Sequence, residues 1–201
     1  MELLSRLFGS AERVKVIRYF LHHEDVFVTE EMVREATKSK VPILKKELSL
    51  LTAISFLEKK KTKMYIASGT KKQPKLKEVT AYALVSSFAY IAVLKELLFT
   101  YSENDLKELA ARFKGLGRIK LFLVSGIFVS DDKARLDILL VGDAFKKPKV
   151  EKVFDSISAE TGREIRYALM DSEEYEYRIK MYDKFVLDVL EFPHKKIINK
   201  F

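Results

Sequence analysis

The sequence predicts an α+β protein, and three patterns carry that reading. Apolar residues recur at helical spacing between Ser10 and about residue 53. A lysine-rich stretch then reads as two strands around a turn, and beyond Gly117 short buried strands alternate with amphipathic helices. The boundaries these changes of pattern draw are 1–86 for a first domain, 87–117 for a helical linker and 118–201 for an α/β domain.

Ser10 is a good N-cap, and Val14, Ile17 and Leu21 follow it on one helical face to about His22, with Phe20 flanking the stripe. Thr29 caps a second helix, because Glu30 and Glu31 put negative charge on its positive end while Met32, Val33 and Ala36 supply the apolar side. Lys38, Ser39 and Lys40 form a polar turn. Pro42 then sits in the first turn of a third helix whose Leu44, Leu48 and Leu51 make one stripe, the scaffold of that helix. Phe56 to Glu58 and Met64 to Ala67 read as strand, Gly69 to Pro74 as a turn, and Val79 to Leu84 as a returning strand. Helix, turn, helix and a β-ribbon in this order describe a winged helix-turn-helix domain.

Residues 36–77 hold twelve lysines against Glu47 and Glu58, more positive charge than the net +8 of the whole chain, so the charge is a patch. A localised basic patch binds polyanions by releasing their counterions, which makes duplex DNA the expected partner. Lys38, Ser39, Lys40, Lys45, Lys46, Ser49 and Thr52 would dress the third helix for the major groove, and Lys60, Lys61, Lys63, Lys71 and Lys72 would place the ribbon on phosphate. The competing explanation for the ribbon is that lysines on an exposed strand discourage sheet-to-sheet association.

The rest of the composition excludes more than it assigns. The 201 residues are 48% hydrophobic and 33% charged, ordinary for a globular chain. There is no cysteine, and His22, His23 and His194 lack the spacing of a helical metal pair, so neither a metal site nor a cofactor is expected. The uncharged run from Val79 to Leu94 is sixteen residues and includes Thr80, Ser86 and Ser87, short of the roughly 20 that a membrane span needs. The opening MELLSRLF carries an acid and no basic flank leading into an apolar run, so no secretion signal is expected and the cytoplasm is the expected compartment.

In the linker, Phe88 to Phe99 reads as a helix with Ile91, Leu94, Leu97 and Leu98 on one side. Ser102 caps another that carries Leu106, Leu109 and Phe113. Both are expected to support a homodimer. Gly115 and Gly117 close the helical region. Ile119 to Val124 is a buried strand, Leu136 to Val141 a second, Val150 to Ser158 a helix and Glu164 to Met170 a third strand. Ser172 with Glu173 and Glu174 opens the next helix. Tyr175, Tyr177, Tyr182, Phe185 and Phe192 read as core or interface. Pro193 ends their helical region, and Ile197-Ile198 reads as a last edge strand.

Residues 121–143, LFLVSGIFVSDDKARLDILLVGD, resemble the minimal nucleotidyltransferase family, whose hallmark is a Gly-Ser pair after one strand and an Asp-x-Asp on the next. The resemblance covers roughly 118–170. It implies a phosphate-cradling loop and carboxylates that hold two magnesium ions for in-line transfer. Asp137 matches the second aspartate, but Arg135 stands at the first, the pair is reversed as Ser125-Gly126, and the third strand offers Arg166 with Glu164 nearby. An arginine in place of a ligating carboxylate repels a divalent ion, so the resemblance implies a catalytically degenerate domain with no catalytic residue and no metal. Ser125, Gly126, Arg135, Asp137 and Arg166, with Lys133, remain as a nucleotide or anion site. The bland alternative is that Arg135 pairs with Asp137, Asp131 or Glu164.

The expectation is therefore a sequence-specific duplex-DNA-binding transcriptional regulator, homodimeric, with a nucleotidyltransferase-like domain that no longer catalyses. Two alternatives stand beside it. One is an active nucleotidyltransferase in which Asp137, Asp131 or Asp132, and Glu164 bind magnesium while Ser125-Gly126 holds a nucleoside triphosphate. The other is an RNA-binding protein that uses the same ribbon.

Overall fold

The structure is a computed structural model and describes residues 2–66, 75–131 and 133–201. It is a mixed α+β chain that falls into two compact units, 1–95 with 159–163 and 96–158 with 164–201. No helix among the described residues is long and apolar enough to cross a membrane.

The first unit runs α1 (Glu2–Leu7), α2 (Ala11–His22), β1 (Val28–Thr29), α3 (Glu30–Thr37), α4 (Val41–Ala53), β2 (Leu57–Ile66) and β3 (Lys75–Leu84). Its helix starts follow local chemistry. The Ser10 hydroxyl accepts the Arg13 N–H at 3.1 Å, and Thr29 accepts that of Met32 at 3.3 Å, each satisfying a donor the first turn leaves open. α4 has no side-chain cap, and Pro42 in its first turn removes one orphan N–H instead. Leu44, Leu48 and Leu51 of α4 are buried, as are Val14, Ile17, Phe20, Val33, Phe56 and Leu57. At about 1.5–3 kcal/mol for each large apolar side chain, this burial sets the orientation of α4 far more strongly than its missing cap could.

The three strands form an antiparallel sheet in the order β1-β3-β2. The ribbon is longer than the pattern predicted. Residues 59–63, a lysine run with no apolar alternation, lie inside β2, held by a register that pairs Leu57 with Leu84 and Lys63 with Glu78. β1 escapes sequence reading because two residues carry no period; Val28 and Thr29 are strand only by virtue of Tyr82 and Ala81 opposite them. α1 is likewise too short to show one.

The second unit contains the end of α5 (Ile91–Phe99), then α6 (Glu103–Ala111), β4 (Arg118–Val124), a 3₁₀ turn at Gly126–Phe128, β5 (Ile138–Asp143) and most of α7 (Lys147–Thr161). It finishes with β6 (Tyr167–Met170), α8 (Ser172–Lys180), α9 (Lys184–Glu191) and β7 (Lys195–Asn199). The sheet order is β6-β5-β4-β7, with β5 and β6 parallel and the other pairs antiparallel. Both faces are covered, which is why β4 and β5 read as unbroken apolar runs. Phe122, Val124, Ile138 and Leu140 pack with Phe113, Phe154 and Ile157 on one side, while Leu121, Leu123, Leu139 and Val141 pack with Met170, Tyr175 and Val186 on the other. β4 carries a bulge at Lys120, since Ile119 pairs with Gly142 and Leu121 with the adjacent Val141.

Several elements differ from expectation. The helix read from Phe88 begins at Ile91, and of its stripe only Leu98 is buried; Leu97 is 41% exposed. α8 does open at Ser172 as read, with Asp171 as its cap, whose carboxylate accepts the Glu174 N–H at 2.7 Å. The strand read from Glu164 begins at Tyr167, because the Arg166 N–H donates to the Asp137 side chain and not to a sheet neighbour. Of the C-terminal aromatics, Tyr175 enters the core but Tyr177 and Tyr182 are exposed.

Candidate nucleic-acid interface

In the first unit one groove of about 620 Å³ joins α4 to the ribbon. Helical spacing puts Lys45, Ser49, Thr52 and Ala53 on its α4 wall, and Glu30 of α3 closes one end. The other wall is one face of the sheet. Strand alternation sends Lys59, Lys61 and Lys63 to the same side, and the pairing of Lys59 with Tyr82 and Lys61 with Thr80 places the two partners beside them. Lys59 holds its ammonium 5.8 Å from the centre of the Tyr82 ring, and Lys45 lies 4.0 Å from the Glu30 carboxylate.

The sequence-predicted residues divide sharply. Lys38, Lys40, Lys45, Lys46, Ser49, Lys61 and Lys63 are exposed. Thr52 is half-buried and donates its hydroxyl to the Leu48 carbonyl at 2.7 Å, a common bond for a helical threonine. Ser39 is not presented to solvent. Its buried hydroxyl pairs with Thr37 Oγ1 at 2.7 Å and with the Glu12 carboxylate, so it fastens the α3–α4 turn to α2 and has no lone partner to offer a phosphate. Lys60 belongs to the opposite sheet face, with its ammonium 3.4 Å from the centre of the Phe27 ring. Lys71 and Lys72 lie outside the described residues.

Sequence reasoning missed Thr80 and Tyr82 as groove residues. The missing information is register: once Leu57 faces Leu84, counting back along an antiparallel pair sets Lys59 opposite Tyr82.

In the second unit, the residues that resembled a nucleotidyltransferase site have a different use. Asp137 is fully buried. Its carboxylate accepts the backbone N–H of Ile127 at 3.2 Å and of Arg166 at 2.9 Å, and the Arg166 guanidinium at 3.2 and 3.3 Å. Gly126, at φ +55°, leaves room for this arrangement, since a Cβ there would stand 2.1 Å from Asp137 Oδ1. Ser125 turns its hydroxyl to the Pro193 carbonyl at 2.7 Å. Arg135 pairs with none of Asp137, Asp131 and Glu164; its guanidinium meets Asp188 of α9 at 2.6 Å.

The structure thus brings Ser125, Gly126, Asp137 and Arg166 together and takes Arg135 to another partner. Lys133 and Glu164 are exposed, and Asp132 lies outside the described residues. Among the described residues no three of His, Cys, Asp and Glu converge as a metal site. A carboxylate already bound by a guanidinium and two amides offers a cation little, and a guanidinium already bound by a carboxylate offers an anion little.

Set beside known proteins, the chain matches no family model, no curated protein and no solved structure.

Proposed function

We propose that this chain is a sequence-specific duplex-DNA-binding transcriptional regulator, its first unit acting as a winged helix-turn-helix and its second as a catalytically degenerate nucleotidyltransferase-like domain. The observation that carries the reading is the shared groove, in which Lys45, Ser49 and Thr52 of α4 stand beside Lys59, Thr80 and Tyr82 of the ribbon. α3, the short turn at Lys38 and α4 supply the helix-turn-helix, and β2 with β3 supplies the wing. In this mechanism the exposed face of α4 enters the major groove, Lys40, Lys45 and Lys46 meet phosphates around it, and Lys59, Lys61 and Lys63 follow the backbone alongside.

Regulation is then by occupancy of an operator. A homodimer is part of the proposal, because a single module of this kind reads few base pairs, and Tyr90 and Val93 stand exposed just after the wing unit's last strand. The second unit contributes no transfer chemistry in this reading, since the Asp137 carboxylate is held by Arg166.

The test is recovery of sheared genomic DNA by the purified protein at near-physiological salt. A shared motif among bound fragments, above all an inverted repeat, supports the regulator. Uniform recovery overturns sequence specificity, and displacement of the DNA by structured RNA at equal concentration points to an RNA-binding protein instead. Lys45→Ala with Lys46→Ala should weaken binding, and unchanged affinity would remove α4 from the interface.

A further inference from the structure

A second basic groove, of about 630 Å³, lies in the second unit between α6 and the strands β4 and β7. Five cations line it, Lys107, Lys114, Arg118, Lys120 and Lys200, with no carboxylate among the lining residues. Its floor is apolar. Ala110 is buried in the sheet core, and Ile119, Ile197 and Ile198 pack on that core with one side and line the groove with the other. The groove sits by the start of β4, whereas the Ser125-Gly126 loop follows the end of that strand, so the two are separate features.

Three successive residues, Arg118, Ile119 and Lys120, all line this groove, which a regular strand with alternating side chains does not allow. The bulge at Lys120 makes it possible by inserting one residue and re-aiming the chain. The backbone around it is close-packed: a Cβ on Gly142 would stand 2.2 Å from the Arg118 carbonyl oxygen, and the Lys200 N–H donates to the Lys120 carbonyl at 2.8 Å. The rim is opened by Gly115, at φ +78° with open space where a side chain would be.

The cations differ in what already holds them. Lys107 pairs with Glu103 at 2.8 Å, and that hydrogen bond keeps the Glu103 carboxyl below the usual carboxylate range. Lys120 lies 3.6 Å from Asp143. Lys114 and Lys200 are exposed and make no ion pair among the described residues, and Arg118 is exposed beside them. Convergent positive charge over an apolar floor, in a concavity of the size that takes one small ligand, is complementary to a molecule with an anionic chain at one end and a flat ring at the other.

We infer that the groove between α6, β4 and β7 binds a free nucleoside polyphosphate, with its phosphates on Lys114, Arg118 and Lys200 and its base against Ala111, Ile119 and Ile198. The inference stands independently of DNA binding by the first unit. A groove of about 630 Å³ is the size for one mononucleotide, whereas a nucleic-acid backbone needs a continuous track of charge.

The test is calorimetric titration of the full chain with ATP, GTP, adenosine and inorganic tripolyphosphate at near-physiological ionic strength. The expected result is one site per chain for a nucleoside triphosphate, bound about tenfold more tightly than tripolyphosphate because the base covers apolar surface. Lys114→Ala with Arg118→Ala should weaken it at least about tenfold through lost charge-assisted hydrogen bonds. Ala111→Phe, at an exposed position on the floor, should weaken it by filling the groove with no change of charge. Lys152→Ala, exposed on α7, should not alter it. Thermal melts of each variant establish that it is folded. No heat from either nucleotide at millimolar concentration overturns the inference. So does equal affinity for tripolyphosphate, or binding that survives both groove variants in folded protein. A short DNA duplex whose binding is lost on Lys114→Ala with Arg118→Ala, while that of ATP is kept, would assign the cations to nucleic-acid phosphate and overturn it as well.

Discussion

The guanidinium of Arg166 spans both carboxylate oxygens of Asp137, at 3.2 and 3.3 Å, while the backbone N–H of the same residue donates to one of them at 2.9 Å. A buried charge is tolerated only when it is paired and hydrogen-bonded, and here one residue supplies both the counter-charge and a main-chain donor. The pair anchors the start of β6 to the start of β5, because the Asp137 N–H also donates to the Arg166 carbonyl at 2.7 Å. What resembled a remnant of a catalytic site therefore has a present structural task.

Removing the acid should cost more than removing the base. Asp137→Ala strands the amides of Ile127 and Arg166 in a buried position and should lower unfolding stability by about 3 kcal/mol or more. Arg166→Ala should lower it by about 1–2 kcal/mol, since the Arg166 side chain is 44% exposed and solvent screens part of the lost attraction. Urea unfolding of both variants checks the order; equal stability of Asp137→Ala and the parent would show that the contact is idle.

Ser39→Ala should separate folding from binding. Loss of the buried hydroxyl between Thr37 and Glu12 should destabilise the first unit by about 1–2 kcal/mol. The salt dependence of DNA affinity, measured where the variant is folded, should not move, because the hydroxyl does not reach solvent. A changed slope would put Ser39 at the interface.

Lys59 and Lys60 are neighbours on opposite sides of the ribbon, and they should behave differently. Under the proposed DNA-binding reading, about six phosphate contacts would give a log–log slope of affinity against salt of roughly −5, and loss of one contact should reduce it by about 0.9. Lys59→Ala should show that reduction. Lys60→Ala should leave the slope alone and instead lose about 0.5–1 kcal/mol of stability from its contact with Phe27. Identical slopes for the two variants would contradict the assignment of faces.

Alkaline titration should resolve the tyrosines into groups. Burial raises the ionisation of Tyr19, Tyr167 and Tyr175 above the ordinary value of 10.0, helped at Tyr167 by the nearby Glu151 and Asp155 carboxylates. A folded-state value above the unfolded one means that the contribution to stability is complete below about pH 10 and is lost as pH rises through the folded values. Absorbance of phenolate in native protein should therefore show these three ionising above the ordinary tyrosine range, together with accelerated unfolding there. Simultaneous titration of all tyrosines in native protein would count against their burial.

Two glycines should answer differently to alanine. Gly142→Ala drives a Cβ to 2.2 Å from a backbone oxygen that cannot turn aside, and it should destabilise the second unit severely. Gly115→Ala meets nothing within 4 Å, so its cost should be only the roughly 1 kcal/mol of a left-handed backbone. Comparison of the two melting temperatures checks this.

Much of the helical architecture was legible because caps and stripes are local: Ser10, Thr29 and Ser102 each cap the helix that the periodicity placed after them. The ribbon was legible at its apolar ends and not along Lys59 to Lys63, where pairing across the sheet overrides a strand-poor composition. Side-chain partners were the least legible. Nothing in the order of residues says that Arg135 turns to Asp188, 53 positions on by number, or that Ser39 turns inward to Glu12, because both are decided by how helices pack. The Lys45–Ser49–Lys59 groove was half legible: helical spacing gave the α4 wall, and the facing wall needed the register.

The bulge at Lys120 also sets where this chain can change length. Dropping that one residue would leave Ile119 opposite Gly142 and Leu121 opposite Val141 as they are, straightening the strand at the cost of the Lys200 N–H bond to the Lys120 carbonyl. Dropping any residue from Leu121 to Val124 would turn those before it inside out, exchanging the occupants of two separate apolar layers. Natural variants of this protein one residue shorter are thus to be looked for at position 120, and those that have lost it should also have lost the groove that the extra lysine helps to form.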